Sequence, residues 1–167
     1  LLSNWKRIYT YRLKPMMKDT ERSYSLLDIG FGGGDIPLAI SSWAKKDGIK
    51  LQITAIETDQ RAFKYAQSLQ NDPSVSFIKC SSTDLVNEHK AFDFVISNHV
   101  LHHLDEESAH EVLNEAKTLA NTLVIFNDIE RSDLGYLLFN ILSRPIFWNS
   151  FITADGLISI KRCYTKK

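Results

Sequence analysis

The chain alternates short apolar runs with stretches whose apolar residues recur at helical spacing. The runs predict five strands, because short apolar runs that end at polar or turn residues are typical of buried strands. They cover residues 26–29, 51–57, 75–79, 92–98 and 121–126. Helical spacing is clearest over residues 36–44, 62–69 and 109–120. This alternation predicts an α/β fold with a doubly wound, mainly parallel sheet and right-handed crossovers.

Before the first strand, residues 4–17 carry an amphipathic helical pattern that is broken near Pro15. Its apolar positions are Trp5, Ile8, Tyr9, Leu13 and Met16. We interpret residues 1–22 as an N-terminal helical addition to the α/β core. Two roles are open for this addition: plain packing on the sheet, or a lid over a substrate pocket.

The turn after the first strand carries three glycines, Gly30, Gly32 and Gly34, between Asp28 and Asp35. Glycine permits positive φ and close approach of a ligand, and the helix that follows offers free N–H groups. The spacing is G-x-G-x-G, whereas dinucleotide-binding turns have G-x-G-x-x-G. Two carboxylates beside the turn would repel a pyrophosphate and favour a ligand that carries a cation. The alternative is a tight turn whose glycines serve packing only.

A carboxylate also ends the second strand, at Glu57, and Thr58 follows it. A single carboxylate can accept hydrogen bonds from both ribose hydroxyls of a nucleoside, so Glu57 is a candidate ribose ligand. The alternative is an acid at a strand end that faces water.

Polar residues follow the fourth and fifth strands, where the carboxyl ends of parallel strands line ligand sites. A histidine there can serve as a general base, since its pKa lies near neutrality, and we prefer His102 to His99. A packing or capping role is the alternative. No zinc set is evident among the histidines, because no cysteine lies near them. Asn127, Asp128 and Glu130 are further site candidates, or else loop residues that pair with the next arginine.

The glycine turn and the phrase F-D-F-V-I-S-N-H-V-L-H-H-L over residues 92–104 together resemble class I S-adenosylmethionine (SAM)-dependent methyltransferases of the small-molecule type. The resemblance covers about residues 26–128. It implies SAM as cofactor, S-adenosylhomocysteine (SAH) as product, and SN2 transfer of the methyl group to a substrate oxygen. The cofactor contacts that it implies are Asp28, Gly30, Phe31, Gly32, Gly34, Asp35, Glu57, Thr58, Asp84, Ser97 and Asn98. The catalytic groups that it implies are His102, His99 and Asp128.

The sequence departs from the family pattern in two places. Relatives usually have an aspartate just after the third strand, where it contacts the adenine amino group. Residues 81–83 here are Ser-Ser-Thr and Asp84 comes late, so either Asp84 reaches back to the adenine or a serine hydroxyl or backbone group takes this role. The family core also ends in an antiparallel strand hairpin, and no clear pair of strands follows Ile160. Because the chain begins at Leu1 without a methionine, we expect it to be truncated.

Residues 131–167 contain a helical pattern that is apolar nearly all round over 134–142. Such a helix has to be buried, and it is too short to span a bilayer. We expect it to form a wall or lid over a hydrophobic substrate, with a homodimer contact as the alternative. With residues 127–132, 155–156 and 159–160, this region resembles a bacterial subgroup that O-methylates polyketide-type phenols or pyrones.

The composition limits the domain count, the binding partners and the cellular compartment that can be expected for this chain. At 167 residues, a single domain spanning 1–167 is expected. Twenty basic and twenty acidic side chains cancel, so no overall field favours nucleic acid. The two cysteines lie far apart and no signal peptide or membrane span is evident, which favours a cytoplasmic protein.

We therefore expect a SAM-dependent methyltransferase that acts on a small, hydrophobic, hydroxylated substrate such as a phenol, pyrone or quinol. One alternative is a non-catalytic protein of the same fold that serves a partner. A weaker alternative is an NAD(P)-dependent oxidoreductase, against which the glycine spacing counts.

Overall fold

The structure is a computed structural model that describes residues 2–69 and 71–128. Residues 2–16 are helical: α1 (Leu2–Ile8) continues as a π-helical stretch (Tyr9–Leu13) and ends in a 3-10 turn (Lys14–Met16). Strands and helices then alternate as β1 (Ser23–Ile29), α2 (Asp35–Lys46), β2 (Lys50–Ile56), α3 (Gln60–Leu69), β3 (Val75–Ile78), α4 (Ser82–Asn87), β4 (Phe92–Asn98), α5 (Glu106–Leu119) and β5 (Ala120–Asn127). A 3-10 turn, Leu101–His103, lies between β4 and α5.

The five described strands form one parallel sheet in the order β3-β2-β1-β4-β5. In the register of the sheet, Ile29 at the end of β1 lies between Ile56 of β2 and Ser97 of β4. The strand order reverses between β1 and β4, and in open α/β sheets a ligand crevice forms at the carboxyl ends beside such a reversal. The predicted α/β, doubly wound, parallel fold is confirmed.

Helices cover both faces of the sheet and bury two separate apolar layers. Leu26, Ile53 and Phe94 point to the face that carries the N-terminal segment, α2 and α3. Leu27 and Val95, their neighbours along the strands, point to the face that carries α4 and α5. Successive residues of one strand therefore point into different apolar layers. The same alternation determines which layer the side chain at the end of each strand faces.

The N-terminal segment is packed into the first layer. Trp5, Tyr9, Leu13 and Met17 are all at most 2% exposed. The Tyr9 hydroxyl donates a hydrogen bond to Asp47 Oδ2 at 2.8 Å, which fastens the segment to the end of α2. The amphipathic pattern predicted for residues 4–17 thus corresponds to a segment packed on the domain, except that Met16 is 42% exposed and Met17 is the buried residue at its end.

Two differences from the predicted elements have local causes. Strand β1 begins at Ser23, earlier than the predicted residue 26. The prediction missed its first residues because Ser23 and Ser25 interrupt the apolar run, although Tyr24 between them is buried. Helix α4 was not predicted, since it is short and mostly polar. A reciprocal capping box between Ser81 and Asp84 begins it.

The apolar helix and lid predicted for residues 131–167, the candidate Glu130 and the question of a strand hairpin all lie outside the described residues. In the part of the chain that the structure describes, no helix combines the length and the apolar character that crossing a membrane requires.

Candidate functional site

A cavity of about 650 Å³ opens at the carboxyl ends of the strands. The glycine turn after β1 and the end of β2 form one side of it, and the residues that follow β3 extend this side. The end of β4, the turn after it and the first half of α5 form the other side. The cavity therefore lies at the reversal of strand order, where the sequence places most of the candidate residues.

The glycines of the turn differ in what they do. Gly32 and Gly34 both have left-handed backbone, with φ of 54° and 76°. A Cβ on Gly34 would lie 2.9 Å from the Phe77 ring and 3.0 Å from Ala66, so this glycine is required for packing. A Cβ on Gly32 would meet no atom of the described residues within 4 Å, and Gly32 lines the cavity. The turn thus leaves its backbone open to a ligand at Gly32.

Asp28 lies in the cavity wall and is only 1% exposed. Neither of its carboxylate oxygens has a hydrogen-bond partner among the described residues. Burial, and then the charges of Asp35 and Glu57, raise the pKa of Asp28 to about 8. A buried carboxyl without a partner is costly. It would be stabilised by a cationic or hydrogen-bond-donating ligand in the cavity.

Glu57 connects the end of β2 to the glycine turn. Its Oε2 accepts a hydrogen bond from the backbone N–H of Gly32 at 3.1 Å. Its Oε1 accepts hydrogen bonds from the N–H groups of Thr58 and Asp59, at 2.9 and 3.1 Å. Glu57, Thr58 and Asp35 all line the cavity. The carboxylate is therefore held in place beside the turn.

Three of the predicted cofactor residues do not line the cavity. Asp84 Oδ2 accepts from the backbone N–H and hydroxyl of Ser81, both at 2.8 Å, so Asp84 is engaged in capping α4. Ser97 is 1% exposed and its hydroxyl donates to the carbonyl of Ile29 at 2.9 Å. Gly34 packs against Phe77, as above. After β3, the wall is instead formed by residues 80–83.

The three predicted catalytic residues lie together beyond β4 and β5. His102 is 4% exposed, and its Nδ1 and Asp128 Oδ1 are hydrogen-bonded at 2.6 Å. The backbone N–H of His102 also donates to Asp128 Oδ2 at 3.2 Å. His99 lines the cavity, whereas His102 and Asp128 lie outside its lining. Burial lowers the pKa of His99, so its imidazole is neutral at pH 7.

Donor atoms of His99, His102 and Asp128 all lie within 4.8 Å of one another, a grouping that can hold a metal ion. The distance of 2.6 Å between His102 Nδ1 and Asp128 Oδ1 is that of a hydrogen bond. Two ligands of one tetrahedral zinc ion, each about 2.0–2.2 Å from it, would be separated by more than 3 Å. The geometry is therefore that of a hydrogen-bonded acid–histidine pair.

Trp5 is among the residues at the site that sequence reasoning missed, as are the residues of α5 that line the cavity. The indole N–H of Trp5 donates to Asn98 Oδ1 at 2.8 Å, so the N-terminal helix contacts a residue of the cavity wall. Trp5 and Asn98 are separated by 93 positions in sequence. Helical periodicity identifies Trp5 only as an apolar position, and no local pattern marks its polar contact.

The family described as "Methyltransferase domain" matches residues 26–122, more than half of the 167-residue chain. The chain belongs to this family. No curated protein matches it in sequence at a significant level.

Solved structures share the fold at low sequence identity. The plantazolicin methyltransferase BamL, in complex with a triazolic desmethylPZN analog and SAH, is 19% identical with a TM-score of 0.66, over 95% of this chain and 57% of that one. Magnesium protoporphyrin IX methyltransferase from Synechocystis PCC 6803 with bound SAM is 16% identical with a TM-score of 0.59, over 74% and 56%. PKMT2 from Rickettsia typhi in complex with AdoHcy is 19% identical with a TM-score of 0.58, over 76% and 24%. The described part of the chain has the class I methyltransferase fold, and the chain spans less than two thirds of the length of each of these structures.

Proposed function

We propose that this chain binds SAM in the cavity and transfers its methyl group to a small, hydrophobic, hydroxylated acceptor. The observation that carries the proposal is the Asp28 carboxyl, which has no hydrogen-bond partner among the described residues and lines the same cavity as the open backbone of Gly32. This combination favours a cationic ligand that approaches the turn closely. Membership of the methyltransferase family and the SAM and SAH complexes of structures that share the fold support it.

The residues present fit the cofactor. Glu57 would accept a ribose hydroxyl at Oε2, where one acceptor position is open beside the Gly32 N–H. Asp28 would face a cationic group, and the wall at residues 80–83 would border the base. Bound SAM supplies an electrophilic methyl group on a sulfonium. The protein then has mainly to hold the acceptor oxygen in line with that methyl, and such positioning is worth about 7–11 kcal/mol.

For the proton of the acceptor we assign His99 as the base, because it faces the cavity and is neutral at pH 7. His102 lies behind it, with the two rings edge to face at a centroid distance of 5.9 Å. Asp128 holds His102 in a fixed orientation through the contact to Nδ1. His102 and Asp128 thus support the wall that carries His99.

The acceptor class rests on the surroundings of the histidines. The part of the cavity wall that follows β4 contains the apolar Val100, Leu104 and Val112, which suit an apolar acceptor. A phenol, pyrone or quinol combines that apolar character with an ionisable hydroxyl. The carboxylate of Asp35 and the buried carboxyl of Asp28, on either side of the glycine turn, count against the pyrophosphate of a nicotinamide cofactor.

The proposal is tested by calorimetric titration of the chain with SAH and, in parallel, with NADH. We expect micromolar binding of SAH and no binding of NADH. Binding of NADH alone would overturn the proposal in favour of an oxidoreductase. Binding of SAH without turnover on a panel of phenols, pyrones and quinols would favour a non-catalytic protein of this fold.

Ligand binding should release a proton from Asp28. Its raised pKa of about 8 means that this carboxyl is mostly protonated at pH 7 in the free chain. The amino-acid ammonium of SAH favours the carboxylate, so up to one proton leaves on binding. Calorimetry at pH 7 in buffers of different ionisation enthalpy should show this release, and affinity should rise between pH 6 and 8. Asp28→Asn should abolish the release, while Asp59→Asn should retain it.

The same carboxyl affects stability in the free chain. The folded pKa of Asp28 lies above its ordinary value of 3.8, so the folded chain holds a proton that the unfolded chain has lost. The free energy of unfolding should therefore fall as pH rises from about 4 to about 8. Asp28→Asn should flatten this dependence, which denaturant unfolding at several pH values measures.

His99→Ala should lower turnover by about 10²-fold or more, while leaving SAH affinity within about twofold, because only proton removal is lost. In the unsubstituted chain, the lowered pKa of His99 keeps the base form present at neutral pH. Turnover should then decline only as pH falls below about 6.5. His110→Ala, which changes an exposed histidine of α5, serves as the control. Equal turnover in the two variants would remove His99 as the base.

A further inference from the structure

A chain of hydrogen bonds joins the N-terminal helix to the carboxyl ends of β4 and β5. Trp5 Nε1 donates to Asn98 Oδ1 at 2.8 Å, and Asn127 Nδ2 donates to the same oxygen at 2.7 Å. Asn127 Oδ1 in turn accepts from Asn4 Nδ2 at 2.8 Å. Because Trp5 is fully buried, its N–H depends on this acceptor.

The indole determines the orientation of the amides in this chain. An indole N–H can only donate, so the atom of Asn98 that faces Trp5 has to be the oxygen. Asn127 then has to present its NH₂ group to that oxygen, and its own oxygen to Asn4. Both lone pairs of Asn98 Oδ1 are engaged in this way. No described hydrogen bond uses Asn98 Nδ2, and Asn98 lines the cavity, so its NH₂ group is available to a ligand.

The strand order indicates which part of a ligand would meet this amide. Glu57 ends β2 and residues 80–83 follow β3, so a nucleoside bound there occupies the β2–β3 side of the cavity. Neighbouring strands lie about 4.8 Å apart, which places the end of β4 about 10 Å from the end of β2. An amino-acid group attached to the nucleoside would extend across β1 towards Asn98.

The charges of the residues that line the cavity indicate which ligand atoms need a hydrogen-bond donor from the protein. Among the described residues that line the cavity there is no lysine or arginine, while Asp35, Glu57, Glu111 and Glu115 supply negative charge. A ligand carboxylate in this cavity has to be met by neutral or histidine N–H donors. The NH₂ group of Asn98 is such a donor at the β4 end.

We propose that Trp5 is a positioning residue of the ligand site: it holds Asn98 so that the amide NH₂ group donates to the carboxylate of the bound cofactor. The N-terminal helix is then a part of the site that discriminates nucleosides with an amino-acid group from those without one. This inference rests on the proposed function, since it presumes that SAM and SAH bind in the cavity.

The test compares SAH with 5′-methylthioadenosine, which shares the thioether nucleoside but has no amino-acid group. Trp5→Phe removes the N–H and should weaken SAH binding about fivefold, and Asn98→Ala about tenfold, while 5′-methylthioadenosine binding changes less than twofold. The double variant should bind SAH no more weakly than Asn98→Ala alone. Tyr9→Phe is the matched control, because Tyr9 is equally buried in the same segment but bonds to Asp47.

Asn127→Asp provides a second variant if Trp5→Phe fails to fold, as thermal melting will show. It removes the other donor to Asn98 Oδ1 without a change of size, and it should also weaken SAH selectively. Equal losses for the two ligands, or SAH affinity unchanged in all these variants, would overturn the inference while leaving the proposed function intact. Failure of the unsubstituted chain to bind SAH would instead refute the proposed function, and this inference would fall with it.

Discussion

Gly32→Ala should abolish measurable SAH binding, or weaken it at least about tenfold, while costing only about 1–2 kcal/mol of stability for a left-handed non-glycine residue. The added methyl meets none of the described residues but projects where the ligand approaches the turn. Gly34→Ala should instead destabilise the fold by about 2–5 kcal/mol, since its methyl overlaps Phe77 and Ala66 in addition to the backbone strain. Calorimetry with SAH and urea unfolding separate these two effects.

The matched control is Gly48→Ala. Gly48 also has positive φ, at 71°, and a Cβ there would likewise meet nothing within 4 Å in the part of the chain that the structure describes. It follows α2 away from the cavity, so its variant carries the same type of strain without a ligand effect. If Gly32→Ala and Gly48→Ala bound SAH equally well, the ligand would not approach the glycine turn as proposed.

Glu57→Gln should weaken SAH binding by about 1–3 kcal/mol, which corresponds to a factor of about 5–150. The substitution preserves shape but removes the negative charge and one of the two acceptor oxygens, so the ribose hydroxyl meets a weaker acceptor. It also perturbs the contact with the Gly32 N–H, which adds to the loss. The readout is SAH affinity by calorimetry, with turnover at saturating SAM as a second measurement.

Asp59→Asn is the control for this prediction. Asp59 lies two positions from Glu57, and its carboxylate pairs with Arg61 at 2.9 Å on an exposed side chain. Loss of the Asp59 charge in this variant should change SAH affinity by less than about twofold, because an exposed ion pair contributes little free energy. An unchanged affinity in Glu57→Gln would remove the ribose assignment.

The parts of the fold that local patterns encode were predictable. Strand β4 occupies Phe92–Asn98, the residues that the apolar run marks, because it is buried on both faces and ends at polar residues. The turn after β1 was equally clear, since its glycines interrupt an apolar run. Helix α4 escaped prediction because six mostly polar residues carry too little periodicity to be read.

The site was predictable where it lies at the ends of strands. Asp28, Glu57 and His99 were candidates because the carboxyl ends of parallel strands meet at one edge of a sheet. The resemblance to the family placed Asp84 in the cofactor site. In the structure, Asp84 instead caps the start of helix α4 together with Ser81. Which of two nearby histidines faces a cavity depends on backbone geometry: His99 has a φ of 57° and its N–H donates to the carbonyl of Asn127. Such contacts join residues that are distant in the sequence, so no local sequence pattern predicts them.

The position of Trp5 and Tyr9 has a practical consequence for defining the smallest folded unit. The family match begins at residue 26, so a boundary drawn from it would remove the whole N-terminal segment. Such a shortened chain would lose four side chains that pack against one face of the sheet, Trp5, Tyr9, Leu13 and Met17, and would leave Leu26 and Phe94 of that layer less covered. Each large buried side chain contributes about 1.5–3 kcal/mol, which in sum rivals the total stability of a typical domain. The autonomous folding unit of this protein therefore begins upstream of the segment by which its family is recognised.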